Sequence, residues 1–271
     1  MEDTRNREQL RRHFEVEREL GSRLRNSTRE ERSELFKTLY SELFTRVPDH
    51  PRLVRRDTEA ESRASVAAQM KLLKDFLVPG VTFVEFAPGD CRLSRAVAEL
   101  AKRVIAADIS DQRDAAETWP DNFELIVYDG YNLPIPAGAA DLAFSYQFLE
   151  HVHPDDVPLH LEQAARILKQ GGTYVLSTPH RFSGPHDISR YFSDVPEGFH
   201  LKEWTFAELG KVAIQAGFRN WHPYRSGRVR KDPLMKAATL ISEWVFGLFP
   251  RKLQRRLSQR WFSSVTVALE R

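Results

Sequence analysis

Thr82-Phe83-Val84-Glu85-Phe86 runs directly into Ala87-Pro88-Gly89-Asp90-Cys91, and this passage decides the fold. The first part is aromatic and β-branched and reads as a strand. The second has small residues at 87, 89 and 91, which let backbone turn sharply and a helix begin at once. Outward from it, short apolar runs recur at Val104 to Ala107, Phe123 to Val127, Leu142 to Phe144 and Thr173 to Leu176. Helical patterns fall between them at Leu93 to Lys102, Asp111 to Thr118 and Val157 to Leu168. Strands alternating with helices predict a parallel sheet covered on both faces. The expectation is an α/β, doubly wound, mostly parallel sheet of seven strands, the last antiparallel. Ligands of such sheets bind beyond the carboxyl ends of the strands, where the strand order reverses.

The chain before this sheet differs in character. Residues 1–78 are dense in Arg and Glu, with apolar residues at helical spacing: Phe14, Leu20 and Leu24, then Leu35, Leu39, Leu43 and Phe44. Ser27 with Glu30 predicts a capping box, and Pro48 and Pro51 a helix stop. A third helix is expected over Ser62 to Leu77. Residues 1–78 therefore read as a helical segment and 79–271 as the sheet domain. Across the whole chain, 40 Lys+Arg face 38 Asp+Glu among 271 residues. That balance gives no reason to expect a nucleic-acid partner. Cys91 is the single cysteine, which excludes an intrachain disulfide and a cysteine-based zinc site. The N-terminus lacks the apolar core of a signal peptide and no apolar run is long enough to span a membrane, so the expected compartment is the cytoplasm.

Three acids punctuate the strand ends. Glu85 lies in the first strand; Asp108 ends the second, 19 residues beyond Gly89; Asp129 ends the third. A carboxylate at Asp108 can hold both hydroxyls of an adenosine ribose. A dinucleotide fingerprint would need glycines spaced G-x-G-x-x-G, and the matching positions are Ala87, Gly89 and Arg92. An arginine at the third position suits an adenosine ligand without a diphosphate.

At this point the sequence resembles the class I S-adenosylmethionine-dependent methyltransferases, over about Gly80 to Phe218 and a last strand at Ser264 to Glu270. Glu85 to Cys91 is similar to the family's first motif, with Ala87 and Cys91 in place of two glycines. Asp108 matches the ribose-binding acid, and Asp129-Gly130 the residues flanking adenine. Asp141 to Val152 matches the fourth strand and acceptor loop. Leu168 to Pro179 matches the fifth strand, with Gly171-Gly172 closing the preceding helix. The resemblance implies a Rossmann-like methyltransferase fold with S-adenosyl-L-methionine as cofactor. It implies binding by Glu85, Phe86, Ala87, Pro88, Gly89, Asp108, Ile109, Asp129, Gly130, Tyr146 and Gln147.

The acceptor side is rich in histidine: His151, His153, His180, His186 and His200. His151 and His186 are the candidate bases for removing an acceptor proton. His151-Val152-His153 with Asp155 and Asp156 has metal-like composition, but Pro154-Asp155-Asp156 reads better as a helix start, and no metal is expected. Residues 225–261 exceed what a turn between strands needs. Leu234, Ala237, Ala238, Ile241, Trp244, Val245, Leu248 and Phe249 share an amphipathic helix, followed by the basic Arg251 to Leu257. This insertion is expected to pack into the core or cover the acceptor pocket; peripheral membrane contact through 233–261 is the alternative. The expected activity is in-line methyl transfer to a small-molecule or glycan-like acceptor. A nicotinamide or nucleotide-sugar oxidoreductase and a non-catalytic adaptor retaining the fold are the alternatives. The oligomeric state is not legible.

Overall fold

The computed structural model describes residues 4–54 and 59–271. The segment expected over 1–78 therefore includes two stretches, 1–3 and 55–58, outside the described residues. Helices α1 (Arg7–Arg25) and α2 (Arg29–Arg46), the short α3 (Pro51–Val54) and α4 (Glu59–Leu73) precede the sheet. The second capping box is one residue later than expected, Thr28 with Glu31, because the Ser27 hydroxyl instead donates to the Leu24 carbonyl. Val16, Leu20 and Leu24 of α1 pack with Leu39 and Leu43 of α2 and with Phe199 and Leu201. Gly21 makes that approach feasible, since a Cβ there would fall 2.4 Å from the Gly198 carbonyl oxygen. The Arg25 guanidinium then donates to the carbonyls of Glu197, Gly198 and His200.

The sheet begins with β1 (Thr82–Phe86), α5 (Arg92–Ala98), β2 (Arg103–Asp108), β3 (Phe123–Val127) and β4 (Ala140–Tyr146). It continues with α6 (Val157–Ile167), β5 (Leu168–Pro179), α7 (Phe206–Gln215), β6 (Asn220–Arg225) and β7 (Arg228–Val229). Helices α8 (Pro233–Gly247) and α9 (Arg251–Trp261) and strand β8 (Ser264–Glu270) complete it. The strand order is β3-β2-β1-β4-β5-β8-β6-β7. The pairs among β1 to β5 are parallel, and β8 runs antiparallel to both β5 and β6. The expected seven strands are present, and an eighth, the two-residue β7, hairpins onto β6. Order reverses at β1, which lies between β2 and β4. Alternate residues face opposite layers. Val84 and Phe86 join the core with Leu161 of α6 and Leu209 of α7, whereas Phe83 joins Leu73 of α4 and Val97 of α5.

Two local expectations are corrected. Asp111 to Thr118 is not a helix. Asp111 accepts from the Arg113 amide and Asp114 from the Ala116 amide, so side-chain carboxylates take the donors a helix would order. Gly171-Gly172 lies inside β5, beyond the end of α6 at Ile167, beside a register shift between Ala140 and Leu142.

The insertion is also different. Leu234, Ile241, Trp244, Val245 and Leu248 face outward rather than joining the core. α8 buries Thr239 and Glu243, with Leu240 and Phe246 against the core. The Glu243 carboxylate explains this choice of face. It accepts from the Phe206 and Ala207 amides at the start of α7 and from His180 Nε2, at 2.6, 2.9 and 2.8 Å.

Candidate functional site

The turn after β1 sits at the point of strand reversal. Ala87, Gly89 and Cys91 all take positive φ, at 51°, 57° and 60°. Those are the left-handed conformations that glycine adopts without penalty. A Cβ added at Gly89 would meet no heavy atom within 4 Å, so open space lies over this turn. Cys91 is buried, and burial pushes its thiol up to about 12, which favours the protonated form.

Asp108 closes the neighbouring strand. Its Oδ1 accepts the Ile109 and Ser110 amides at 2.7 and 3.2 Å, and its Oδ2 accepts the Gly89 amide at 3.3 Å. The β1 and β2 ends are thus joined through one carboxylate. Ile109 and Tyr146 stay exposed at 41% and 40%, an apolar contribution beside these polar groups. Gln147 follows Tyr146 with φ 52° and donates its amide to Ser177.

The other expected site residues differ in what they present to this turn. The Phe86 ring is in the core, edge-on to His160 and Tyr174, so only its main chain reaches the turn. The Glu85 carboxylate lies beneath the turn and accepts from the Ser94 hydroxyl at 2.6 Å. Burial pushes it up to about 8. Asp129 accepts from the Tyr131 and Asn132 amides and the Asn132 side chain, closing the turn that contains Gly130. Those bonds outweigh burial and hold its carboxyl below the usual carboxylate range. Pro88 is half-buried between Ala87 and Gly89. A cleft of about 370 Å³ opens beside this turn, with Arg29 and Glu30 of α2 facing Asp129, Tyr131 and Asn132.

On the acceptor side, His186 Nε2 lies 2.9 Å from Ser183 Oγ. That hydroxyl has one proton, and the Phe262 carbonyl at 2.6 Å claims it, so His186 donates through Nε2. Its Nδ1 is then the basic nitrogen, and burial lowers its pKa, favouring the neutral ring. His151 donates from Nδ1 to the Phe199 carbonyl at 3.0 Å. His153 and Asp156 do not join it. His153 contacts the Arg25 carbonyl, and Asp156 is taken by Arg29, Arg32 and Tyr131.

Sequence reasoning counted His200 among the acceptor-side histidines but gave no role to it, to Glu150 or to Glu203, which the structure brings to this region. His200 and Glu203 come from the approach to α7, far along the chain from Glu150, so only the charge of these residues was visible.

A family model described as a methyltransferase domain matches residues 84–176. A Mycolicibacterium smegmatis protein described as a probable S-adenosylmethionine-dependent methyltransferase is 30% identical over 126 residues, covering 45% of this chain and 46% of that protein. A Mycobacterium tuberculosis protein of the same description is 30% identical over 128 residues, with 45% and 43% covered. The chain thus spans less than half the length of these curated relatives. Among solved structures, Burkholderia thailandensis 1,6-didemethyltoxoflavin-N1-methyltransferase, with 1,6-didemethyltoxoflavin and S-adenosylhomocysteine bound, superposes with a TM-score of 0.55. Identity is 18%, over 88% of this chain and 89% of that one. A chain from the complex of the Haloferax volcanii Trm112 methyltransferase activator with a methyltransferase gives 0.55 at 20% identity, over 78% and 91%. These superpositions show a shared fold. Residues 84–176 thus match a methyltransferase domain, and over that part the chain is similar to S-adenosylmethionine-dependent methyltransferases.

Proposed function

We propose that this protein transfers a methyl group from S-adenosyl-L-methionine to a small-molecule or glycan-like acceptor. The observation that carries this reading is the meeting of the Gly89 amide and the Asp108 carboxylate at the point of strand reversal. The open space over Gly89 and the exposed Ile109 and Tyr146 fit an adenosine ligand. The cofactor supplies a methyl already activated on a sulfonium, so no covalent intermediate with the protein is needed. Asp108 holds the ribose hydroxyls, and Ile109 and Tyr146 exclude water beside it. The Asp129-Gly130 turn bounds the adenine end, and Gln147 leads into the acceptor loop. Neutral His186 takes the acceptor proton at Nδ1; His151 stands with Glu150 and His200 instead. Arg92 opens α5 where a dinucleotide fold would have a third glycine, and it pairs with Asp90 at 3.1 Å, which disfavours the nicotinamide alternative. Calorimetry with S-adenosylmethionine, NAD and adenosine tests the reading. Saturable binding of S-adenosylmethionine alone supports it. NAD binding would indicate an oxidoreductase, and binding of none an adaptor.

We also infer peripheral contact of residues 233–261 with an anionic lipid surface. Leu234, Ile241, Trp244, Leu248 and Trp261 are 62–77% exposed, and Lys252, Arg256 and Arg260 are exposed beside them. An apolar ridge with a basic flank suits such a surface. No described helix is long and apolar enough to cross a membrane.

A further inference from the structure

Glu150 ends the acceptor loop after β4, and only 1% of it is exposed. Its Oε2 accepts from the Thr178 hydroxyl at 2.9 Å. Its Oε1 has no hydrogen-bond partner among the described residues. A buried carboxylate oxygen left bare is costly, and a cation removes that cost. His151 follows it in the chain, and His200 approaches from the segment before α7. One ligand atom from each of Glu150, His151 and His200 lies within 4.8 Å of the others.

Both rings are held through Nδ1. His151 donates to the Phe199 carbonyl, and His200 donates to Glu203 Oε1, each at 3.0 Å. A metal-binding imidazole is usually fixed in this way, with one nitrogen donating to a carbonyl or carboxylate so that the other presents its lone pair. The bare Glu150 oxygen and the two hydrogen-bonded imidazoles are separate observations within one compact trio. The other compact trio, His13, Glu17 and His50, lacks the first of them. Glu17 Oε1 already bonds His13 at 2.7 Å and its Oε2 accepts the Phe199 amide.

We propose that Glu150, His151 and His200 bind a divalent transition-metal cation beside the acceptor loop. Two imidazoles and one carboxylate suit a borderline ion such as Zn²⁺ or Co²⁺ better than Mg²⁺ or Ca²⁺. Ligand atoms around one such ion stand roughly 3.4 Å apart, given bonds of ~2.1 Å. The spread of up to 4.8 Å is wider than this, so binding would draw the three side chains together. Three protein ligands leave coordination positions open to water or to an acceptor oxygen. The His200 side chain keeps 12% exposure, which gives an ion a route in.

The test uses the full chain, stripped with a chelator and titrated with Co²⁺ in the absence of S-adenosylmethionine and acceptor. The proposal expects one equivalent to bind with visible d–d absorption. Glu150→Gln and His200→Asn should each weaken binding at least tenfold, while His153→Asn keeps the parental affinity. Glu150→Gln preserves shape and is checked for folding by circular dichroism. As a second readout, Zn²⁺ should raise the melting temperature of the parent and leave that of Glu150→Gln unchanged. Absence of stoichiometric binding by the parent, or parental affinity in both variants, would overturn the site. Asp108→Ala should bind Co²⁺ like the parent, so failure here and failure of the methyl-transfer reading are separable.

Discussion

Asp108 Oδ2 accepts the Gly89 amide at 3.3 Å, so one carboxylate joins the end of β2 to the turn that follows β1. The bond is longer than the 2.7 Å bond the same carboxylate accepts from Ile109. The side chain is therefore anchored on its own strand and reaches across to the neighbouring turn more weakly. Ligand hydroxyls can compete for the weaker side without releasing the stronger one.

Ala87 holds a left-handed backbone at φ 51° where the related motif has glycine. That conformation costs an L-residue about 1–2 kcal/mol, partly offset by the extra unfolded-state freedom of glycine. Ala87→Gly should therefore stabilise the fold by about 0.5–1 kcal/mol in urea titration. A lower midpoint in the variant would mean that the Ala87 methyl contributes more than its backbone costs.

Glu85 gives a pH dependence. Its folded pKa, about 8, stands above the ordinary carboxylate value of 4.5 because of burial. The folded chain therefore keeps a proton that the unfolded chain releases. Stability from this group is complete below pH 4.5 and is lost as pH rises towards 8, by about 3 kcal/mol at pH 7. Glu85→Gln should lack this decline, and its advantage over the parent should grow between pH 5 and pH 8. Parallel stability curves would place the Glu85 carboxyl at an ordinary pKa.

Glu243 ties the insertion to the domain. Removing it leaves two amides at the start of α7 and His180 without their acceptor. Glu243→Ala should cost about 3–5 kcal/mol, seen as a lower chemical-denaturation midpoint. A loss under about 1 kcal/mol would show that water replaces the carboxylate.

The outward ridge of α8 and α9 predicts that the protein pellets with anionic vesicles at low salt and is released at high salt. Trp244→Glu should reduce pelleting and leave the fold unchanged, since Trp244 is 67% exposed. Equal recovery with neutral and anionic vesicles would contradict the basic flank's role.

The strand bounds at Thr82–Phe86, Phe123–Val127 and Ser264–Glu270 were legible because apolar runs between turn residues leave little freedom of assignment. The place of Asp108 at the end of β2 was legible because such runs fix where strands stop. Asp111 to Thr118 was not, because its helical pattern competes with Asp111 and Asp114 bonding nearby amides. The buried face of α8 was not legible either. It is chosen by Glu243, whose partners His180 and Phe206 lie far away in the chain. The same distance in sequence hid the meeting of Glu150 with His200.

The most direct test of the central claim is calorimetric titration of S-adenosylmethionine into the parent and into Asp108→Ala. Losing a hydrogen bond to a charged group costs ~1.5–3 kcal/mol, which corresponds to about tenfold or more in affinity. Saturable binding by the parent, weakened at least tenfold in Asp108→Ala, is the predicted result. Equal affinity in both proteins, or no binding by the folded parent, would contradict the account.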